Sequence, residues 1–445
     1  MRVRSPTSAV FSLVLFGSNA RAGNDDELFV GNRAAMSGGA VSATVTDSSA
    51  IWYNPAGLGA AERAQIDVSG TAYTVRFYSA PRFLSTAGGP SKDGAVTEFV
   101  SIPTQIAYVR RLGPAVSLGV GYFVPHASNF VLREQLDVGG AGSGSQWQVA
   151  GTFADVQHTA AAALGFALSP RVRIGFSLIG GYAAATQALS LFGAVQENGA
   201  TRASFTQTAI GTESRLSLEA GIGLQVDLTP ELSIGVSGRS PRVELYENTD
   251  VTVNMGGSTL LGQMPMLSAM AVHPSTHHRA PDLLRAGRAG VAVAYRYGFG
   301  WVSAELDVQP GLYRAEVGVN RKAVVNARLG VYHPVLPSVA IGAGLFTDRT
   351  PDAATESLLS GGGDFYGGSL GIELNSEHHL AESEPVDSLV FSTVFALRYA
   401  FSNGDFGRAL VDPGALASSG EPFQEAHGTL RTHELGFYVG SALQF

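Results

Sequence analysis

The sequence predicts an all-β protein: a transmembrane antiparallel β-barrel of about fourteen strands with an N-terminal hatch (plug) in its lumen. Three observations carry this prediction. Long stretches alternate between apolar and small or polar residues, as in Arg215 to Leu228, where Leu216, Leu218, Ala220, Ile222, Leu224, Val226 and Leu228 share one face. The links between such stretches alternate between tight turns and long polar segments. Finally, 45% of residues are hydrophobic and only 15% charged, against roughly 25% charged in soluble domains. No run of about 18 apolar residues accompanies that low charge, so no membrane helix explains it. A barrel does, because alternation lets one strand face meet lipid while hydropathy never accumulates.

The first element is a leader. Met1-Arg2-Val3-Arg4 is basic, Ala9 to Phe16 is a short apolar run, and Ala20-Arg21-Ala22 is an A-x-A cleavage site. This is the layout of a secretory signal peptide over 1–22. Its removal takes away three arginines and no acid, moving the net charge from −8 to −11. An acidic balance argues against nucleic acid as a partner, and a chain without cysteine has no thiolate or disulfide chemistry.

Residues 23–64 form the second element. They lack a sustained period-2 face and contain Gly38-Gly39, Asn54-Pro55 and Gly57. About forty residues cannot build a core of their own, whereas a fourteen-stranded barrel has a lumen to fill. A plug follows.

The third element, 65–445, is the barrel. Strands are expected at 65–78, 98–111, 115–126, 155–168, 172–189, 207–228, 232–248, 283–297, 301–316, 321–333, 337–347, 364–376, 386–402 and 431–445. Even strands end in tight turns such as Leu112-Gly113-Pro114, Ser169-Pro170-Arg171 and Thr229-Pro230-Glu231. Odd strands mostly run into long segments, at 127–154, 249–282, 348–363 and 403–430. Short turns on one rim and long loops on the other are the asymmetry of outer-membrane barrels; a soluble sandwich has no reason to sort its loops by parity.

Candidate binding residues lie in one loop and on the lumenal face. Four of the six methionines fall within Met255 to Met270. Flexible, polarisable side chains there suit an adaptable apolar landing site built from Leu260, Leu261, Met264, Met266, Leu267 and Met270; a loop helix covering itself on the rim is the alternative. Arg288 and Arg296 share an inward face with Gly290, Ala292 and Ala294, and Arg328 shares one with Asn326 and Gly330. Each could meet a substrate carboxylate, or form an arginine–acid ladder that grips the hatch. His273, His277 and His278 lack a paired acid and are read as solvated, so no metal site is assigned. Tyr295, Tyr297, Trp301, Phe437 and Tyr438 are read as an interfacial girdle. No serine stands at a recognisable spacing from a strand histidine such as His158 or His333, so no catalytic residue and no cofactor is assigned.

At the end of the chain, Leu435, Phe437, Val439, Leu443 and Phe445 fall on one strand face, opposite Glu434, Gly436, Tyr438 and Gly440. The pattern Tyr438-x-Gly440-x-x-Leu443-x-Phe445 resembles the signal read by the outer-membrane insertion machinery.

Within the hatch, Gly38-Gly39-Ala40-Val41 is followed by Asp47-Ser48-Ser49-Ala50 and then by Asn54-Pro55-Ala56. This series resembles the hatch of the FadL-type family, outer-membrane channels for long-chain fatty acids and other hydrophobic compounds. The resemblance implies a monomeric fourteen-stranded barrel in the outer membrane of a Gram-negative bacterium, passively taking up a hydrophobic small molecule. It further implies hatch rearrangement around Asn54, Pro55 and Ala56, and lateral exit to the lipids through the wall near an inward kink of the third strand. A general porin, or a structural or adhesive barrel, is the alternative.

Overall fold

The computed structural model describes residues 28–445 apart from 88, 141–142, 262–263, 273–281, 315–318, 353–360, 380–387 and 419–421. The leader, residues 23–27 and His273, His277 and His278 lie outside the described residues. The hatch contains the short helices α1 (Asn32–Met36) and α2 (Ala50–Tyr53) and a 3-10 turn (Pro55–Ala60). Six long strands follow: β1 (Gln65–Thr86), β2 (Ser91–Gly113), β3 (Val116–Gly140), β4 (Ser143–Ser169), β5 (Val172–Glu197) and β6 (Ala200–Asp227). Shorter pieces come next: β7 (Leu232–Arg239), β8 (Arg242–Leu261), β9 (Met264–Val272), β10 (Asp282–Arg285), β11 (Arg288–Tyr297) and β12 (Gly300–Gln309). The chain ends with β13 (Leu312–Arg314), β14 (Val319–Arg321), β15 (Val324–Leu336), β16 (Val339–Asp348), β17 (Gly361–His379), β18 (Ser388–Val411), α3 (Pro413–Ser418) and β19 (Phe423–Gln444).

All strands but the small β13–β14 hairpin belong to one sheet. It closes where β1 meets β19, in antiparallel register from Gln65↔Gln444 to Ser79↔Arg431. The closed barrel has fifteen strands, one more than expected. The expected strand 232–248 is interrupted between β7 and β8, which pair in succession along β6. Pro241 has no backbone N–H to give a ladder, and the Ala220 N–H turns instead to Ser240 Oγ at 2.9 Å.

The tight turns at 112–114, 169–171 and 229–231 fall where expected, but most of the described residues in the segments 127–154, 249–282 and 403–430 are strand. Strands β3 and β4 pair up to Gly140↔Ser143, across the stretch 127–154. The stretch 249–282 holds the β8–β9 hairpin, with Leu261↔Met264 and Met255↔Met270 in register. The described residues of 403–430 are mostly the end of β18, α3 and the start of β19. Period-2 reading missed them because the polarity of the alternation inverts partway up the wall. Near the turn end of β4 the inward positions are Gln157, Thr159, Ala161, Ala163 and Gly165, with Leu164 outward. Near the loop end they are Trp147, Val149, Gly151 and Phe153, with Gln146, Gln148 and Thr152 outward. Strand β6 inverts likewise. Its turn-end half points Glu219 and Gln225 inward and Ile222 and Leu224 outward, while its loop-end half buries Ala203, Phe205 and Ala209. An apolar outer face therefore gives way to a polar outer face around a buried apolar interior.

Two of the expected girdle residues also face the other way. Trp301 is buried against Tyr332, with ring centroids 5.9 Å apart. Tyr438 is buried and donates to Asn32 Oδ1 at 3.0 Å. Each packs on the hatch, because a small inward-facing neighbourhood leaves room there for an aromatic ring.

Candidate functional site: hatch, charged layer and apolar chamber

The hatch fills the turn-end half of the lumen. Val30, Ala34, Met36, Val41, Ile51, Trp52 and Leu58 form one core with Ala107, Phe123, Ala161, Ala396 and Tyr438 of the wall. Helices of four and five residues are far too short to persist alone, so the wall holds them. Asn54 is fully buried and joins the two parts. Its Nδ2 donates to Ser42 O of the hatch at 2.8 Å and to Leu224 O of β6 at 3.2 Å. Its Oδ1 accepts from Ala56 N at 3.2 Å and so caps the 3-10 turn that Pro55 begins. Gln225 donates to Ser42 O and Val45 O at 3.1 and 3.0 Å. The wall behind this motif is glycine because nothing larger fits. A Cβ on Gly175 would lie 2.2 Å from Pro55 C, and one on Gly223 2.0 Å from Asn54 Oδ1.

Charged side chains fasten the hatch elsewhere. Glu305 accepts from Ser42 N at 3.1 Å and from Arg328 Nη1 at 3.0 Å. Arg288 lines the same small cavity as Arg328, Glu305 and Trp52. Arg296 bonds Asp227 at 3.1 Å by the turn that follows β6. The structure thus places these three arginines at or below the hatch, among carboxylates. Burial alone would lower the pKa of the Arg33 guanidinium, but Glu373, Tyr332 and Asp47 outweigh it and hold it above its ordinary value. Arg33, Asp47 and Glu373 line a polar vestibule of about 380 Å³ on the turn-end face of the hatch.

The string Gly367-Gly368-Ser369-Leu370-Gly371, passed over in the sequence, has the spacing of a serine-hydrolase elbow. It lies inside β17 with no turn. Ser369 Oγ donates to Met36 O at 2.9 Å and accepts from Gly38 N at 2.8 Å, so it serves the hatch.

Above the hatch lies a layer of paired charges. Arg76 binds Glu434 at 2.7 Å and Glu98 at 3.1 Å, Tyr78 donates to Glu98 at 2.6 Å, and Arg398 pairs with Glu434. Sequence reading missed these residues because each is a lone charge on an inward face, and the partners are up to 358 positions apart.

Above that layer lies an apolar chamber that is filled by its own side chains. Phe83 and Leu84 of β1, Leu132 and Leu136 of β3, Trp147 and Phe153 of β4, Leu189 and Leu191 of β5, and Phe205 of β6 form one buried cluster. An arm made of the tips of β18 and β19 with α3 contributes Phe406, Val411, Leu416 and Phe423. In the sheet, β18 and β19 are not neighbours of β4 or β6, so the arm crosses the mouth. Its Phe423 lies 5.6 Å from Trp147, edge-on, and 5.8 Å from Phe205. The tip of β1 clamps the arm from the other side, pairing in parallel from Leu84↔Ala409 to Thr86↔Val411. Met255 packs on this cluster. Leu260, Leu261, Met264, Met266, Leu267 and Met270 lie along the hairpin beyond it.

Beside the charged layer the wall ladder is broken. The β2–β3 pairing stops at Gln105↔Phe123 and does not resume toward the loop end. The β3–β4 register also shifts between Phe123 and His126. Phe123, Val124, His126 and Ala127 are buried there, so β3 bends inward. Leu28 N of the hatch donates to Pro125 O at 2.9 Å.

Among solved structures the chain is similar to a Pseudomonas aeruginosa FadL homologue, at 12% identity and a TM-score of 0.61, covering 94% of this chain and 99% of that one. The chain has the FadL-type barrel fold. It is also similar to the CymD monoaromatic hydrocarbon channel and to the Pseudomonas putida toluene transporter TodX, each at 12% identity, a TM-score of 0.53 and 94% of this chain. These matches cover 97% and 98% of the other chains. No family model and no curated protein sequence matches.

Proposed function

We propose that this chain is an outer-membrane channel of a Gram-negative bacterium for passive uptake of hydrophobic small molecules, without enzymatic activity. The observation that carries the reading is an upper lumen filled by buried apolar side chains, set directly above a hatch and beside a break in the ladder. A ligand lands on the Met/Leu-rich β8–β9 hairpin, enters the chamber by displacing side chains that now fill it, and leaves sideways between β2 and β3. The downward route is unfavourable for it, because paired buried charges, a hatch and then a polar vestibule lie in the way. The neighbours described as toluene and monoaromatic hydrocarbon channels support this class of cargo. The leader 1–22 directs secretion, the hatch 23–64 rearranges around Asn54, Pro55 and Ala56, and the monomeric barrel 65–445 inserts through the signal Tyr438, Gly440, Leu443 and Phe445.

Two measurements test this. Organic extraction of detergent-exchanged protein followed by mass spectrometry should release a bound apolar molecule, while planar bilayers should show no steady large pore; the opposite pair of results would make it a general porin. Replacing Met264, Met266 and Met270 with serine should lower uptake at limiting ligand without changing barrel folding. Unaltered uptake would move the landing site elsewhere.

A further inference from the structure

Where the main-chain ladder between β2 and β3 stops, side chains take its place. Continuing the register past Gln105↔Phe123 would set Phe99 opposite Asn129 and Ser101 opposite Ala127. Instead, Arg76 Nη1 donates to Ala127 O at 3.0 Å, and Asn129 N donates to Glu98 Oε1. Farther toward the loop end, Ala95 N donates to Glu134 Oε1 at 3.1 Å. The first link is buried, the second is half-buried, and both belong to one unit, since Arg76 and Glu98 are each 1% exposed and bound to each other. Glu434 and Arg398 hold the other side of Arg76, so two arginines and two glutamates balance within the layer.

We infer that Arg76 and Glu98 form a latch that closes an opening in the wall between β2 and β3. This rests on the proposed channel reading but makes a separate physical claim. A main-chain ladder separates only when many bonds break together, whereas the links described across this seam run through the side chains of Arg76, Glu98 and Glu134, which can rotate away. The bent segment of β3 keeps its pairing to β4, from His126↔Gln157 through Asn129↔Ala154, so it can leave β2 while staying in the sheet. The latch also reaches the hatch: Leu28 holds Pro125, two residues before the carbonyl that Arg76 holds. Hatch movement that releases Pro125 would therefore load the latch from below. Tyr78, which bonds Glu98, packs at a tilt against Phe130 with centroids 5.7 Å apart, and Phe130 stacks on Phe153 at 4.8 Å. A ligand that parts these rings from above pulls on the same glutamate. Arg76 and Glu98 are positioning residues, acting on the wall and not on the cargo.

The chain has no cysteine, so a labelled pair is simple to introduce. Phe99 and Val131 are more than half exposed on the two sides of the seam. Nitroxides on Phe99→Cys and Val131→Cys report its width by double electron–electron resonance in lipid nanodiscs, with heat-modifiable gel mobility confirming the barrel. With the latch intact, one narrow distance is expected. Glu98→Gln keeps shape and an acceptor but removes the charge, and should add a longer population. Arg76→Gln with Glu98→Gln, which leaves Glu434 paired with Arg398, should make that population dominant. An unchanged distribution in both variants overturns the latch, whatever uptake does; a lengthened one supports it. Toluene uptake by cells carrying the same variants is read separately. A rise of twofold or more alongside the longer distance joins latch to transport, and a longer distance with no uptake in any form of the protein sustains the latch while removing the channel reading.

Discussion

The two halves of the lumen are filled in opposite ways. Below the charged layer, wall backbone meets hatch backbone: Gly175 lies against Pro55, and Asn54 and Gln225 bond main-chain oxygens. Above it, side chain meets side chain, as where Phe423 packs on Trp147 and Phe205. A backbone-to-backbone seat has almost no adjustable part, whereas aromatic and leucine side chains can swing and repack. The lower half is therefore built to exclude, and the upper half is filled by groups that a ligand of similar chemistry can replace.

The largest expected effect comes from adding a side chain at the seat. Gly175→Val inserts atoms where Pro55 already stands. Overpacking of this kind costs about 1–3 kcal/mol or more, and with backbone on both sides there is no rotamer to relieve it. The expected outcome is a displaced hatch, read as proteolysis within residues 28–64 and as steady conductance in planar bilayers. Gly193→Ala is the counterpart above. Its Cβ would meet the Trp147 ring 2.3 Å away, a side chain, so the hatch should stay protected and the bilayer silent. If both variants leak, or neither does, the contrast between the halves is wrong.

Next in its effect on passage through the lumen, though not in stability, is Phe423→Ala. Removing a buried phenylalanine costs about 3–5 kcal/mol, here confined to the arm over the chamber. The arm should become sensitive to protease between β18 and β19, and uptake should quicken, with the hatch still protected. Slower uptake would mean that the arm builds the ligand site and does not cover it.

How much of this could be read in advance follows the same division. The turn-end halves of the strands were legible because lipid enforces apolar-out alternation, as in Leu216 to Leu228. The hatch was legible through Asn54-Pro55-Ala56, where proline and the capping asparagine leave a local trace. The chamber was not. Trp147, Val149 and Phe153 alternate with Gln146, Gln148 and Thr152 as in any soluble sheet, and nothing local says that the apolar face is inward. Nor does a lone Glu98 announce partners on β1 and β3. Pairings between distant strands depend on closure of the barrel, a property of the whole chain.

The smallest effect should come from Asn54→Ala, and it asks whether the seat is rigid by shape or by bonding. The substitution adds no atoms near Gly223 and leaves Pro55 in place, so the shape of the seat survives. What goes is the side-chain bond to Ala56 N and both donations, to Ser42 O and Leu224 O. Gln225 still reaches Ser42 O at 3.1 Å, but Ala56 N and Leu224 O lose this partner. Buried groups left this way cost about 1–3 kcal/mol, enough to raise the population of a displaced hatch without making it dominant. Hydrophobic-ligand uptake should therefore change several-fold at matched surface expression, ligand binding at the β8–β9 hairpin should be intact, and steady conductance should stay absent. A leak as large as that of Gly175→Val would show that bonding, not close packing, holds the hatch. Uptake equal to the unmutated protein would reduce Asn54-Pro55-Ala56 to a turn that ends the hatch, and would leave the glycine seat as the whole basis of its fixity.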